Sequence, residues 1–227
     1  GNTVLKSVLS PWVQAGEPEE VCSRLEDPDT REQIRRDIEE NRIEGWENPA
    51  LRTGWENIVV RNIDSPAYEM YEGKDVATIA AKRDQHPVDS VCDIVVAEEL
   101  DVHMLLGAMD EQDVREIMTN ERVCIASDGL FGAAPHPRTY GTYPRVLGRY
   151  VREENLLTIE EAVRKMTSLP ARAMGLNHKG VLRPGLDADL VVFDPSTISS
   201  PATYDDPTQY PHGISHVIVN GTVAVEE

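Results

Sequence analysis

Apolar positions in the first hundred residues recur at helical spacing. Residues 17–41 read as helix, strongly charged, and Asp27-Pro28 divides them, because aspartate suits an N-cap and proline the first helical position. Ile34 and Ile38 give the second of these helices a thin i, i+4 stripe, which predicts little burial. Trp46 and Trp55 flank a Gly/Pro/Asn-containing stretch, after which residues 56–61 (Glu-Asn-Ile-Val-Val-Arg) read as a short strand. A second helical pair is expected over 75–83 and 88–100, separated by His86-Pro87. At the start, Val4, Leu5, Val8 and Leu9 read as the end of an apolar element already under way, with no initiator Met before them.

From His103 the pattern changes. Residues 103–106 (His-Met-Leu-Leu) form an apolar strand candidate, and Asp110 with the acids after it opens a helix. Residues 123–126 (Val-Cys-Ile-Ala) are the next expected strand, and Thr158-Ile159-Glu160-Glu161 is a capping box before another helix. Strands alternating with helices predict a parallel α/β sheet or barrel. The tail differs: residues 189–194 read as a buried strand closed by Pro195, and 216–225 as apolar sequence folded about Asn220-Gly221, a strong hairpin signal. A small β-domain is therefore expected at the end.

Composition narrows the partners. With 22 basic against 40 acidic residues the 227-residue chain carries a formal charge of −18, which speaks against nucleic acid and anionic membranes. Only Lys6, Lys74, Lys82, Lys165 and Lys179 are lysines. Acid-rich, lysine-poor surfaces occur in proteins adapted to high salt and equally as ordinary solvated faces. Cys22, Cys92 and Cys124 are odd in number and far apart, so free packing thiols are expected rather than disulfides or a zinc ribbon. No secretion signal and no long uncharged apolar run is present, which makes the cytoplasm the default expectation.

The chemistry concentrates in residues 127–153. The expected strand 123–126 runs into Ser127-Asp128-Gly129 and then a loop dense in Gly, Pro, His and Arg. An acid at the C-terminal end of a barrel strand is rigidly held yet faces a loop-built pocket. Taken alone, Asp-Gly is ordinary turn chemistry. Arg138 suits either a structural ion pair or a bidentate carboxylate anchor. Arg145 and Arg149 are expected to pair with local acids such as Glu153 and Glu154, and His136, between two prolines, to rigidify the loop by hydrogen bonding.

Three segments resemble the C-terminal half of the amidohydrolase superfamily, and within it the N-acyl-D-amino-acid deacylases (D-aminoacylases). Residues 179–193 (Lys-Gly-Val-Leu-Arg-Pro-Gly-Leu-Asp-Ala-Asp-Leu-Val-Val-Phe) are similar to the strand returning from barrel to β-domain, and 167–176 to the helical joint before it. His136-Pro137-Arg138 through residues 149–153, with residues 209–214 (Gln-Tyr-Pro-His-Gly-Ile), narrows the likeness to the deacylases. The fold so implied is α/β: the C-terminal portion of a metal-dependent (β/α) TIM-like barrel with a helical insertion and part of a small β-sandwich domain. Its divisions would be 1–101, a helical insertion or lid, 102–178, the last barrel strands and helices, and 179–227, the β-domain part.

The resemblance implies that Asp128 is the catalytic acid, taking a proton from a zinc-bound water and passing it to the departing amine, and that Arg138 holds the substrate carboxylate. It implies zinc as cofactor, with ligands mostly outside this chain. No His-x-His occurs, and none of His86, His103, His136, His178, His212 and His216 is assigned to metal. The expected partners are a small N-acyl amino acid and the N-terminal half of the same enzyme, the fragment being inactive alone. Two alternatives stand beside this: a cyclic-amide hydrolase of the dihydroorotase or hydantoinase kind, and a non-catalytic module needing a partner chain.

Overall fold

The computed structural model describes residues 2–132 and 135–226, and the chain divides into two compact units, Gly1–Ala108 and Met109–Glu227. In the first, β1 (Asn2–Val4), β2 (Ile58–Arg61) and β3 (His103–Leu106) form a sheet in the order β1-β3-β2. The helices are α1 (Pro18–Glu26), α2 (Pro28–Glu39), α3 (Pro49–Thr53), α4 (Val76–Arg83) and α5 (Pro87–Ala97). Their starts follow local chemistry, since the first N–H groups of a helix lack intrahelical acceptors. The Asp27 carboxylate accepts from Thr30 N–H at 2.9 Å to cap α2, and Asp75 does the same for α4 from Thr78 at 2.8 Å.

The stripe on α2 is better buried than its sparseness predicts. Ile34 and Ile38 are 0% and 3% exposed, because α1 and α5 both pack on α2. The same helix buries Asp37, whose carboxylate accepts from Ser10 Oγ at 2.9 Å and Trp12 Nε1 at 2.7 Å. A charged side chain is thus kept inside by two donors from one turn. Cys92 packs in this core, and burial pushes its thiol up to about 12, which makes it an inert packing residue.

The second unit contains α6 (Glu111–Thr119), α7 (Arg138–Arg145), α8 (Ile159–Met166) and α9 (Ser168–Ala173), followed by β4 (Leu190–Phe193), β5 (Ile214–Val219) and β6 (Thr222–Glu226). Asp110 caps α6 through Gln112 N–H at 2.6 Å, and Thr158 Oγ1 caps α8 through Glu161 N–H at 3.2 Å. Helix α7 carries Pro144 and runs on into π-helical turns over Val146–Glu153. Those turns lie close against another segment: a Cβ on Gly148 would come 2.7 Å from the Ile198 carbonyl, which also accepts from Arg152 Nη1 at 2.6 Å.

Both sheets are antiparallel throughout, so the expected parallel sheet is not found, and the described residues contain no closed barrel. Residues 123–126 form no ladder either. An apolar run becomes a strand only beside a partner, and here its hydrogen bonds go elsewhere. Ile125 N–H donates to the Lys165 carbonyl at 3.1 Å. The Lys165 ammonium, 0% exposed, donates to the carbonyls of Asn120 and, at 3.1 Å, Val123, with Glu161 3.7 Å away.

The hairpin is as the sequence predicts. Asn220 and Gly221 take φ of 50° and 78°, the left-handed pair of a two-residue turn joining β5 to β6. Asp189 Oδ1 accepts from Asn220 N–H at 2.7 Å and pairs through its other oxygen with Lys179, which also meets Asp187 at 2.9 Å. The expected burial of 190–193 holds only at its ends: Leu190 and Phe193 are partly buried, Phe193 against the core of the second unit, while Val191 and Val192 are 54% and 49% exposed.

Replacing Lys165 by Ala removes the donor for two carbonyls and opens a void, and should lower stability by about 2–4 kcal/mol. Thermal melts of the chain and the variant check this; an unchanged melting temperature would show that residues 120–125 are held otherwise.

Candidate active site

The segment after residue 126 turns sharply at Asp128, whose φ of 45° is the left-handed conformation that aspartate tolerates better than most residues. Gly129 follows because the chain presses flat on the start of α7: a Cβ there would lie 2.9 Å from Thr139 Cα. Two hydrogen bonds fix the loop, Gly129 N–H to Ser127 Oγ at 3.3 Å and Thr139 Oγ1 to the Leu130 carbonyl at 3.1 Å. The consequence is a pairing of residues ten apart. Arg138 Nη2 lies 2.8 Å from Asp128 Oδ2.

The partners differ in exposure. The Asp128 side chain is 83% exposed and the Arg138 side chain 24%. Arg138 Nε is buried and has no acceptor among the described residues. The guanidinium thus holds one carboxylate and keeps an unused donor beside it. His136 sits just before, its Nδ1 accepting from Arg138 N–H at 3.0 Å and its ring edge-on to Tyr204, centroids 5.1 Å apart. Burial and the neighbouring guanidinium push His136 down to about 4, so its ring is neutral at ordinary pH and serves as an acceptor, as a loop-rigidifying residue requires. Phe131, Tyr140 and Tyr210 stack edge to face nearby, with Phe131 84% exposed.

A second polar cluster braces the π-helical turns. Glu154 accepts from Arg115 Nε at 2.9 Å and Arg149 Nε at 2.7 Å, while the Tyr150 hydroxyl donates to Glu111 at 2.6 Å. Arg115 and Arg149 together hold the Glu154 carboxyl down at about 2. The expected pairing of Arg149 with Glu154 is present, whereas Arg152 rather than Arg145 meets Glu153, at 3.3 Å. The sequence signals for this cluster are the i, i+4 spacing of Glu111 and Arg115 and the i, i+5 spacing of Arg149 and Glu154, which a π-helix turns into neighbours.

Comparison with known proteins now decides the family, because residues 35–225 match the amidohydrolase family. The chain belongs to the amidohydrolases. An N-acyl-D-glutamate deacylase from Alcaligenes xylosoxydans xylosoxydans is 48% identical over 152 residues, 66% of this chain and 30% of that protein. The crystal structure of N-acyl-D-glutamate deacylase from Bordetella bronchiseptica, complexed with zinc and a phosphonate mimic of the tetrahedral intermediate, superposes with a TM-score of 0.67 at 36% identity. It covers 85% of this chain and 42% of that one. A D-aminoacylase structure described as defining a novel subset of amidohydrolases gives 0.64 at 41% identity, over 74% of this chain and 35% of its own. Dihydroorotase from Lactobacillus johnsonii matches over only 46 residues, 20% of this chain. This amidohydrolase chain thus spans about 30% of the length of the curated deacylase it matches.

The zinc of the Bordetella structure has no complete home among these residues. Asp128 presents one carboxylate, already engaged by Arg138, and no group of three or more His, Cys, Asp or Glu among the described residues is arranged to hold a metal ion. No helix described here is long and apolar enough to cross a membrane.

Two acid-side effects follow from the shifted groups. His136 binds its proton less readily folded than unfolded, so its contribution is present above 6.5 and lost as pH falls toward 4; Glu154 contributes above 4.5 and loses this as pH falls toward 2. The melting-temperature gap between the chain and Glu154→Gln should therefore be constant above pH 5 and close toward pH 2. A gap that does not change with pH would contradict the assignment.

Proposed function

We propose that this chain is the C-terminal portion of a metal-dependent hydrolase that cleaves the amide bond of N-acyl-D-amino acids. The deacylase relatives support the substrate class, and the observation that carries the reading is the 2.8 Å approach of Arg138 to Asp128. In an N-acyl amino acid the departing nitrogen and the carboxylate carbon share one Cα and lie about 2.5 Å apart. A group that protonates the nitrogen and a group that grips the carboxylate must therefore be near neighbours. N-acyl-L-amino acids and C-terminal peptide bonds share that closeness, so the D series rests on the deacylase relatives.

The roles follow from the atoms. Arg138 offers a planar guanidinium, whose Nη2 already meets a carboxylate, and such a fork suits a substrate carboxylate. A substrate carboxylate taking up that fork would release the exposed Asp128 oxygens to accept a proton and return it to the amine nitrogen. Zinc is the metal of the Bordetella neighbour, and its ligands in the complete protein would lie mostly outside this chain.

The rest of the chain fits a portion of a larger protein. Val191, Val223 and Val225 stand 54%, 51% and 54% exposed on the C-terminal sheet, apolar area that an N-terminal part of the same protein would cover as a β-sandwich. In this reading residues 1–101 are a helical insertion or lid, 102–178 close a TIM-like barrel, and 179–227 belong to the β-domain.

In the complete protein Asp128→Asn should reduce turnover of N-acetyl-D-amino acids about 10²–10⁴-fold with metal content unchanged. Undiminished turnover would remove Asp128 from the proton transfers. Arg138→Lys keeps the charge but not the fork and should raise KM about ten- to hundredfold with little change in kcat. Steady-state kinetics with carboxylate substrates decide, and an unaltered KM would remove the anchor role.

A further inference from the structure

Arg138 begins α7, and its usefulness as an anchor depends on where its backbone is held. The first N–H groups of a helix have no partner within it, and the residue at the cap position here is Pro137, which has no side-chain acceptor and sits at φ −56°, ψ −22°. His136 takes over the task. Its Nδ1 accepts from Arg138 N–H at 3.0 Å and its carbonyl accepts from Thr139 N–H at 2.9 Å. An imidazole nitrogen accepts only when it carries no proton, so His136 must be the neutral tautomer with hydrogen on Nε2.

The device occurs twice among the described residues. His86-Pro87-Val88 opens α5 in the same way, with His86 Nδ1 accepting from Val88 N–H at 3.2 Å. There the helix that follows packs in the core of the first unit, whereas at His136 the residue whose N–H is held is Arg138 itself. The His136 ring cannot swing freely, because it stands edge-on to Tyr204 between two prolines.

We propose that His136 is a positioning residue, fixing the Arg138 backbone through Nδ1 and so setting the guanidinium that meets Asp128. It touches neither substrate nor reacting atoms. The inference rests on the anchor reading of Arg138 given above, and its test has one arm that does not depend on activity. Asparagine at 136 supplies a side-chain oxygen that accepts from the N–H two residues on, as in an Asx-turn, whereas alanine supplies nothing.

In the complete enzyme His136→Ala should raise KM for an N-acetyl-D-amino acid about tenfold with kcat within about twofold, and His136→Asn should restore most of it. The C-terminal carboxamide of the same substrate, which gives Arg138 no carboxylate, should show no such rise. Equal loss of kcat on both substrates, or failure of asparagine to rescue, would overturn the proposal. On the 227-residue chain, nitrogen-detected NMR at neutral pH should find His136 Nδ1 unprotonated, and the Arg138 Nε–H resonance should move in His136→Ala and return in His136→Asn. A protonated Nδ1 or an unmoved arginine signal would overturn it too. If these NMR results hold while the complete enzyme hydrolyses no N-acyl-D-amino acid, the functional reading fails and the positioning role stands.

Discussion

The ion pair between Asp128 and Arg138 is the constraint around which the site is organised, and it is a consequence of backbone rather than of attraction. Exposed pairs contribute little by themselves, about 0–1 kcal/mol. What brings these two together is the left-handed turn at Asp128, the absence of a side chain at Gly129 where the loop meets Thr139, and the tie from Thr139 to Leu130. His136 holds the other end by capping the backbone of Arg138. The charged groups are therefore delivered to each other by a loop and a helix start, each fixed by neutral hydrogen bonds.

Behind the site, the structure repeatedly replaces a missing regular partner with a specific polar one. Residues 123–126 have no neighbouring strand among the described residues; a buried lysine donates to the carbonyls of Asn120 and Val123, and its own carbonyl accepts from Ile125 N–H. Pro144 and the π-helical turns after it leave α7 irregular, and Arg115, Arg149 and Glu154 brace that irregularity. Helical irregularities of this kind collect near functional sites, where they re-aim side chains.

Local signals were legible where the chemistry is local. Asp27, Asp110 and Thr158 each cap the helix expected of them, Asp75 caps the helix expected to begin there, and Asn220-Gly221 makes its turn. The terminal sheet was legible in its hairpin, but the sheet of the first unit was not, because pairing depends on strands far away: 103–106 lies antiparallel between β1 and β2, and 123–126 joins no ladder among the described residues. The candidate site was half legible. Asp128 and Arg138 stood out one by one from their local sequence, their roles came from family resemblance, and their contact arises from Gly129 pressing on Thr139, which no spacing rule announces. The π-helix likewise has no periodicity of its own to read.

The chain belongs to the amidohydrolases, spans about 30% of a curated deacylase relative, and holds an acid and an arginine without a set of metal ligands among its described residues. The measurement that tests this account most directly compares the 227-residue chain with the complete protein for zinc stoichiometry and hydrolysis of N-acetyl-D-amino acids. The account predicts bound zinc and turnover in the complete protein and neither in the chain alone. Stoichiometric zinc with deacylase activity from the isolated chain would contradict it.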